Sequence, residues 1–494
     1  MTKELKKIAI VGMGIAGVSA LREWTRQQAK QPEIEITAFG DAATFGRGEP
    51  YQQEDDILIL NQPAGLATIV PEKPDDFVDW LKENHDETDP RYGYYPRALF
   101  GQYMHERMEV WLEKSQAETV KEKVETIDYL KNGQFRIQSA THEGIYDAVH
   151  IAIGSAPYAD YYDLADHPHF ILDPFPIDQQ LAEIPKGVRV GVLGTGLTSI
   201  DILRYLDARR PDLHLSFYSP SGRFKTVRGE TIDYEYQYFT PENIQKEQAK
   251  NNGFIPLTTY FDWFKKEVAV QGIEIEAEWF HQQAFGAKDT IQQDLEEEHK
   301  IGVIQTLILG LDRMLTEMWM SLTDADKNYF LEEYGQIWDK VRSSFPRESG
   351  EILVDRWEKD EIKVYSDLVD IVPNEDSFRW VLKNQKDQRT DYIVNAAGTD
   401  LAVSFKTERK ALLRDLLNKR IIQSERFGGV QVTVPTLSAV SQKYGVIDRL
   451  KVHGPLISGI QFGNNSIDII SEGVQRSVQA IVADSQKNSK EENG

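Results

Sequence analysis

The chain opens with an apolar run, a glycine-rich turn and an amphipathic segment. Residues 8–11 are continuously apolar, as in a parallel strand buried on both faces. After the glycine-rich stretch 12–17, residues 18–28 carry apolar side chains at helical spacing, and residues 34–39 are again strand-like. This order predicts a strand, a helix and a second, parallel strand.

The same pattern returns downstream. Residues 188–193 are strand-like, the stretch 194–199 is a second glycine turn, 200–206 form an amphipathic segment and 213–218 resemble another strand. Two copies of this unit predict an α/β fold with two Rossmann-like dinucleotide-binding domains. Each domain is expected to have three layers, with helices on both faces of a parallel sheet.

The remaining segments complete the predicted domain order. Residues 230–345 combine helical periodicity, acidic runs and many Tyr and Trp residues, which predicts a largely helical insertion. Two further strands end in Gly154 and Gly398, where we expect the chain to return between domains. The predicted order is a first dinucleotide-binding domain (1–160 and 391–484), a second (161–229 and 346–390), the insertion (230–345) and a disordered tail (485–494).

Composition restricts the possible partners. The 494 residues include 56 Lys and Arg against 79 Asp and Glu, so the net charge of -23 disfavours nucleic acids and anionic membranes. The most apolar later run, 301–311, is about half the length of a membrane span. Residues 1–7 do not resemble a signal peptide, which predicts a cytoplasmic protein. The sequence leaves open whether the chain forms a homo-oligomer.

The chain contains no cysteine, which excludes disulfide bonds, thiolate metal sites and cysteine nucleophiles. The ten histidines show no clustered spacing of the kind that binds metals. No metal is therefore expected, and no protein nucleophile is evident.

The first glycine turn matches the G-x-G-x-x-G pattern in its required context of strand and helix. Gly12 is expected to make the tight turn, Gly14 to let the backbone approach a pyrophosphate, and Gly17 to let helix and strand pack closely. Ile15 and Ala16 would present free N–H groups to the phosphates at the helix N-terminus. The alternative is a glycine-rich turn without a ligand.

An acidic residue for the ribose hydroxyls is expected at the end of the second strand. Here Phe39 is followed by Gly40 and only then by Asp41. Asp41 is a candidate for the ribose contact from one position later, and a simple turn residue is nearly as good an interpretation.

The second glycine turn replaces the third glycine with a hydroxyl residue. Gly194 and Gly196 keep their positions, whereas Ser199 stands where the third glycine is expected. Thr198 and Ser199 are candidates to donate to phosphate or to cap the helix.

Basic residues follow the strand after this second turn. Arg223, Lys225 and Arg228 stand where an acid would bind the 2′-hydroxyl of NAD and repel a 2′-phosphate. The cations therefore favour NADP over NAD at this site. The alternatives are a solvated basic loop and a second site that no longer binds a nucleotide.

Several short motifs appear in a specific order outside the insertion. They are Gly46-Arg47-Gly48 with Tyr51, Leu60-Asn61-Gln62-Pro63-Ala64, Pro96-Arg97-Ala98-Leu99-Phe100-Gly101-Gln102-Tyr103, Gly194-Thr195-Gly196-Leu197-Thr198, and Gly454-Pro455-Leu456-Ile457-Ser458-Gly459. In this order the chain resembles a bacterial family described as FAD-NAD(P)-binding proteins. It is more distantly similar to amino-acid N-hydroxylases and flavin-containing monooxygenases. The family's usual glutamate after the second strand corresponds to Gly40.

The resemblance implies FAD on the first domain, and the motif residues suit that cofactor. Arg47, beside Gly48, is a candidate to neutralise the pyrophosphate, and Asn61 to bind the edge of the isoalloxazine ring, with Pro63 passing flat beside it. Arg97 is either a cofactor contact or a structural one.

A second helix N-terminus is expected near the end of the chain. In such folds the end that follows Gly463 and Asn464 points at the pyrimidine side of the flavin, and its dipole stabilises the charge of the reduced flavin. A simple capped helix is the alternative.

The absence of cysteine also excludes the disulfide reductases, which share this architecture. The leading hypothesis is an NADPH-dependent FAD oxidoreductase acting on a small molecule, with a monooxygenase favoured over a reductase that uses an organic acceptor. A non-catalytic flavin-binding sensor or scaffold is the hypothesis from another class.

Overall fold

The computed structural model describes residues 5–85, 87–155, 157–399, 411–463 and 466–491. The chain divides into two compact units. The first unit comprises Met1–Pro157 and Thr399–Gly494, and the second unit is Tyr158–Gly398.

The first unit is built on a six-stranded sheet. Its strands are β1 (Lys7–Val11), β2 (Glu35–Phe39), β3 (Glu118–Val120), β7 (Ala148–Ile151), β16 (Ser438–Ser441) and β17 (Gly445–Val452). The order is β16-β17-β7-β1-β2-β3, and every neighbouring pair is parallel except β16 with β17. A smaller antiparallel sheet contains β4 (Thr126–Tyr129), β5 (Phe135–Gln138) and β6 (Glu143–Tyr146).

Helices cover this sheet because their apolar faces need burial. They are α1 (Ile15–Gln28), α2 (Asp76–His85), α3 (Arg97–Ser115), α15 (Ala411–Asn418) and α16 (Ile467–Glu491). Helix α1 packs along α16 in one apolar core, where the hydroxyls of Ser19 and Ser471 lie 3.1 Å apart. The helix α16 continues to Glu491, where the sequence predicted a disordered tail from residue 485. The helix therefore extends ten residues beyond the buried Ile481.

The second unit has a five-stranded parallel sheet. Its strands are β8 (Phe170–Ile171), β9 (Arg189–Leu193), β10 (His214–Tyr218), β11 (Ile362–Tyr365) and β15 (Tyr392–Asn395), in the order β11-β10-β9-β15-β8. Residues 391–398 were assigned to the first domain from the sequence, and this assignment is wrong. An apolar run predicts a buried strand, but it does not specify which of two parallel sheets the strand joins.

Two helices and a three-stranded antiparallel sheet accompany the second parallel sheet. The helices are α4 (Ile177–Gln180) and α5 (Leu197–Arg209), and the antiparallel strands are β12 (Leu368–Pro373), β13 (Phe378–Leu382) and β14 (Gln388–Thr390). Gly191 of β9 packs so closely on this sheet that a Cβ there would lie 2.3 Å from the ring of Trp380.

The predicted helical insertion is confirmed, and it lies within the second unit. The helices within residues 230–345 are α6 (Pro241–Lys250), α7 (Leu257–Val270), α8 (Ala277–Gln282), α9 (Lys288–Glu296), α10 (Glu298–Gly310), α11 (Asp312–Ser321), α12 (Asp324–Glu333) and α13 (Gly335–Arg342). The next helix, α14 (Arg347–Glu358), lies in the segment 346–390 that the sequence assigns to the second dinucleotide-binding domain. Among the described residues, no helix combines the length and the apolar character that crossing a bilayer requires.

Candidate dinucleotide-binding sites

The first glycine turn connects β1 to α1 under tight steric constraints. Gly12 has a φ of +100°, and a Cβ there would lie 2.3 Å from the carbonyl oxygen of Ala152. A Cβ on Gly17 would lie only 1.8 Å from the carbonyl oxygen of Gly12. The Gly12 N–H donates to the Phe39 carbonyl over 2.8 Å, which ties the turn to the end of β2. Both outer glycines are therefore required for packing.

The N-terminus of α1 has the donors that a phosphate needs. Gly14 is the N-cap residue and supplies no side chain to cap the helix. The N–H groups of Ile15 and Ala16 have no hydrogen-bond partner among the described residues. Since such unpaired donors and the helix dipole favour negative charge, this end of α1 fits an anion.

The Gly46–Gly48 loop lies directly against this turn. The Gly46 N–H donates to the Met13 carbonyl over 2.8 Å, and a Cβ on Gly14 would lie 3.4 Å from the Cα of Gly48. The guanidinium of Arg47 has no ion pair or hydrogen bond within the described part of the chain. An unpaired cation beside unpaired N–H groups suits the two charges of a dinucleotide pyrophosphate, so the residues present fit this group.

Asp41 occupies a turn at the end of β2. Its carboxylate accepts the N–H of Ala43 over 3.0 Å and pairs with Lys123 at 2.8 Å. The hydrogen bond from Lys123 lowers the pKa of Asp41 below its ordinary value. These contacts match the interpretation of a turn residue, and a ribose contact stays a prediction. A Cβ on Gly40 would lie 3.0 Å from the ring of Phe45, so an acidic side chain there would displace that ring.

Two of the sequence motifs pair with each other. The Leu60 N–H donates to the Tyr95 carbonyl over 2.9 Å, and the Arg97 N–H donates to the Leu58 carbonyl over 2.8 Å. The two segments form an antiparallel bridge between Ile59 and Pro96. Asn61 and Pro63 follow Ile59 within four residues, and Arg97 comes directly after Pro96.

The side chains of these motifs have different roles. Asn61 is half-buried, and its amide has no hydrogen bond among the described residues. Arg97 is only 12% exposed and forms an ion pair with Glu54 at 3.5 Å, so it has a structural contact. Tyr103 is fully buried and donates to Asp76 over 2.8 Å. Asn61 thus stays a candidate for the flavin ring edge.

Two more of the predicted cofactor-binding residues, Gly154 and Gly463, belong to the first unit. Gly154 follows β7 with a φ of +74°, and no atom lies within 4 Å of where its Cβ would be. Gly463 has a φ of +76° and shortly precedes α16. Asn464 lies outside the described residues.

The second glycine turn repeats the contacts of the first. The Gly194 N–H donates to the Tyr218 carbonyl over 2.8 Å, and a Cβ on Gly194 would lie 2.4 Å from the carbonyl oxygen of Ala396. Gly196 caps α5 without a side chain, and no atom lies within 4 Å of where its Cβ would be. The backbone at Gly196 is therefore open to a ligand.

The two hydroxyl residues of this turn differ. The Ser199 side chain is buried, and its hydroxyl donates to the Gly196 carbonyl over 2.6 Å. This bond agrees with the interpretation of Ser199 as a residue that satisfies its own helix end, and a phosphate contact stays a prediction. The Thr198 hydroxyl has no partner among the described residues and stays a candidate for phosphate.

The basic segment after β10 is ordered by the glycine turn. The Thr195 hydroxyl donates to the Arg223 carbonyl over 2.7 Å and lies 3.1 Å from the Ser219 hydroxyl, which accepts the Gly222 N–H. These bonds order the backbone of the loop, and its role in NADP binding stays a prediction. Arg223 is exposed and unpaired among the described residues, whereas Lys225 forms an ion pair with Asp339.

One known family resembles the segment that contains the first glycine turn. Residues 9–156 match the model of a family described as FAD-NAD(P)-binding. This stretch of the chain is similar to that family. The resemblance seen in the sequence motifs is thus confirmed for the segment that contains the first glycine turn, Arg47, Asn61 and Arg97.

Solved structures resemble the chain beyond that domain. Reduced ornithine hydroxylase from Pseudomonas aeruginosa matches with a TM-score of 0.59 at 12% identity, covering 97% of this chain and 98% of its own. L-lysine 6-monooxygenase from Pseudomonas syringae gives 0.59 at 14% identity, with 97% and 99% covered. The ornithine N-hydroxylase of Kutzneria sp. 744 gives 0.56 at 14% identity, with 97% and 99% covered. No curated protein matches the sequence. These likenesses confirm the two-dinucleotide-binding fold.

One residue near the second site was missed by sequence reasoning. Lys340 of α13 lies near Lys225 and Arg223, and burial, together with repulsion from these two cations, lowers its pKa. No local pattern indicates Lys340, because it stands in the insertion, far along the chain from the strand that it approaches.

Proposed function

We propose that this chain is an FAD-dependent oxidoreductase that uses NADPH and acts on a small organic substrate, with monooxygenase-like chemistry. The observation that carries the proposal is the repetition of one turn geometry in both units. Gly12 and Gly194 donate to the end of the neighbouring strand over the same 2.8 Å, and each turn leads into a helix capped by a glycine. Each unit thus has the backbone of a dinucleotide site.

The electrostatics support a different cofactor for each unit. The FAD-NAD(P)-binding domain has the unpaired Arg47 beside its helix N-terminus, which suits the FAD pyrophosphate. The second unit has Arg223 after β10, where an acid would select NAD, which favours NADPH. A bound flavin would supply the redox chemistry by accepting a hydride from NADPH and passing two electrons to oxygen or to an organic acceptor.

The choice of a monooxygenase rests on exclusion and on the fold. The chain has no cysteine, so a dithiol cannot relay electrons as in disulfide reductases. Hydroxylases and monooxygenases of ornithine and lysine share the fold along nearly the whole chain. Their low identity carries no substrate to this protein.

Anaerobic mixing of the purified protein with NADPH or NADH tests the proposal. We expect a flavin absorption spectrum and its rapid bleaching by NADPH. The variant Arg47→Gln should bind FAD more weakly, whereas Arg91→Gln, which removes an exposed ion pair with Asp75, should not. Failure of both nucleotides to bleach bound flavin would overturn the oxidoreductase and leave a non-catalytic flavin protein.

Oxygen consumption separates the two reaction classes. A monooxygenase should consume oxygen with NADPH and release less hydrogen peroxide when its substrate is added. Primary amines and amino acids are the first substrates to test, because the structural neighbours act on such molecules. Rapid anaerobic turnover with a quinone or another organic acceptor, with slow reoxidation by air, would favour the reductase instead.

A further inference from the structure

Two distant segments of the second unit meet at the basic loop after β10. The N–H and the hydroxyl of Thr226 both donate to the carbonyl of Lys340, over 3.1 and 3.0 Å. Thr226 is completely buried. The end of α13, in the helical insertion, is therefore fixed against the loop that carries Arg223 and Lys225.

The insertion also fixes the shape of this loop. The buried Gln305 of α10 accepts the Gly229 N–H over 2.8 Å and donates to Thr226 and to the Val227 carbonyl over 3.1 and 2.8 Å. The Phe224 N–H donates to the carbonyl of Gly286, which also belongs to the insertion, over 2.9 Å. Because buried contacts hold both ends of the loop, its backbone has a defined position from which Arg223 and Lys225 extend.

The charges of this cluster do not balance. Lys225 pairs with Asp339, but the side chains of Arg223 and Lys340 have no hydrogen bond or ion pair among the described residues. Lys340 is half-buried, and the repulsion from Lys225 and Arg223 adds to the burial that lowers its pKa. Gathering three cations around one carboxylate costs free energy, and a bound anion would offset that cost.

We propose that Lys340 and Arg223 together bind the 2′-phosphate of NADPH, and that Lys225 is a positioning residue that holds α13 through Asp339. The assignment of the anion rests on the proposed function. A planar guanidinium and a flexible ammonium complement a phosphate dianion, and this loop follows the strand whose end faces the adenosine ribose in such domains. The helical insertion would then take part in the choice of nucleotide.

Binding of 2′,5′-ADP and of 5′-AMP to the full-length protein tests this site directly, because neither probe takes part in hydride transfer. Calorimetry should show that Lys340→Met weakens the binding of 2′,5′-ADP by about tenfold or more, as expected for a lost charged contact. The affinity for 5′-AMP should be unchanged. Lys340→Arg should retain most of the affinity. Lys225→Met should have a smaller effect than Lys340→Met.

The matched control is Lys246→Met, which removes an exposed lysine of α6 without a partner among the described residues. It should bind both probes like the unaltered chain, and thermal unfolding should show that every variant is folded. Equal affinity of Lys340→Met and the unaltered chain for 2′,5′-ADP would overturn the proposal, as would a larger effect of Lys225→Met.

The outcomes separate this inference from the proposed function. Flavin bleaching by both nucleotides without any preference for 2′,5′-ADP would reject the phosphate site and keep the oxidoreductase. A Lys340-dependent preference for 2′,5′-ADP in a protein whose flavin is not bleached would support the site and reject the oxidoreductase.

Discussion

The Thr195 hydroxyl donates to the Arg223 carbonyl over 2.7 Å, which joins the second glycine turn to the basic loop. Thr195 is buried, so its end of this bond is shielded from water. We expect Thr195→Val to loosen the loop and to weaken the binding of 2′,5′-ADP severalfold, in line with the loss of about 1 kcal/mol for one hydrogen bond. The affinity for 5′-AMP should change little.

Thr198→Val is the control for this prediction. Its hydroxyl has no partner among the described residues and stands in the first turn of α5, where a nucleotide's 5′-phosphate is expected. This variant should weaken both probes equally in calorimetry. Equal loss of both probes in Thr195→Val as well would show that the bond to Arg223 does not order the loop.

The glycines of the two turns should differ in their tolerance of alanine. A Cβ on Gly17 would lie 1.8 Å from a backbone oxygen, whereas nothing lies within 4 Å of a Cβ on Gly196. We expect Gly17→Ala to lower the thermal unfolding midpoint by several degrees and to yield protein without flavin, since overpacking costs about 1–3 kcal/mol or more. Gly196→Ala should remain stable and lose nucleotide affinity. Equal thermal stability of the two variants would contradict this prediction.

Local steric rules explain which features could be predicted from the sequence. The positive φ of Gly12 and Gly194 follows from a strand that must turn at once into a helix, so residue type alone indicates both turns. Lys340 could not be found this way, because its approach to Arg223 depends on how the insertion packs. The sequence left two roles open for Ser199 because a hydroxyl can bond either a ligand or its own helix end, and the buried bond to Gly196 favours the second.

Glu267 organises the aromatic segment at the start of the insertion. Its fully buried carboxylate accepts the N–H groups of Gln237, Tyr238 and Phe239 over 3.0, 2.6 and 3.1 Å, and also the hydroxyl of Tyr234. Removing it would leave these four donors unpaired, among them the N–H of the buried Phe239. We expect Glu267→Leu to destabilise this region by about 1–3 kcal/mol, and Glu267→Gln by less.

Hydrogen–deuterium exchange of residues 234–239 measures this effect locally. Exchange should accelerate strongly in Glu267→Leu, moderately in Glu267→Gln, and not at all in Glu274→Leu, which changes an exposed position after α7. Unchanged protection in Glu267→Leu would mean that aromatic packing alone holds the segment.

A chain of buried rings crosses the core of the first unit. The Trp24 indole N–H donates to Nε2 of His150 over 2.9 Å, and Nδ1 of His150 lies 2.9 Å from Nε2 of His453. Since the indole can only donate, His150 carries its proton on Nδ1 and donates it to His453. Both histidines are therefore neutral in the folded protein. Burial lowers the pKa of His150 well below its ordinary value and that of His453 to about 3.

This array predicts that stability falls in mild acid. The unfolded chain protonates both histidines near pH 6.5 and the folded chain does not, so the unfolded state binds more protons below that pH. The free energy of unfolding should then fall by up to about 1.4 kcal/mol per pH unit for each histidine between about pH 6.5 and pH 4. The neighbouring Lys451, whose pKa is lowered to about 8, is protonated throughout this window and contributes no slope.

Unfolding midpoints in urea, measured from about pH 7 to pH 4.5, test the assignment. The double variant His150→Leu/His453→Leu should flatten the acid limb, because it removes both groups that must gain a proton on unfolding. His85→Leu, which replaces a histidine at the end of α2, should keep the full slope. If the double variant loses stability in acid as steeply as the unaltered chain, carboxylates rather than the buried histidines determine the acid sensitivity.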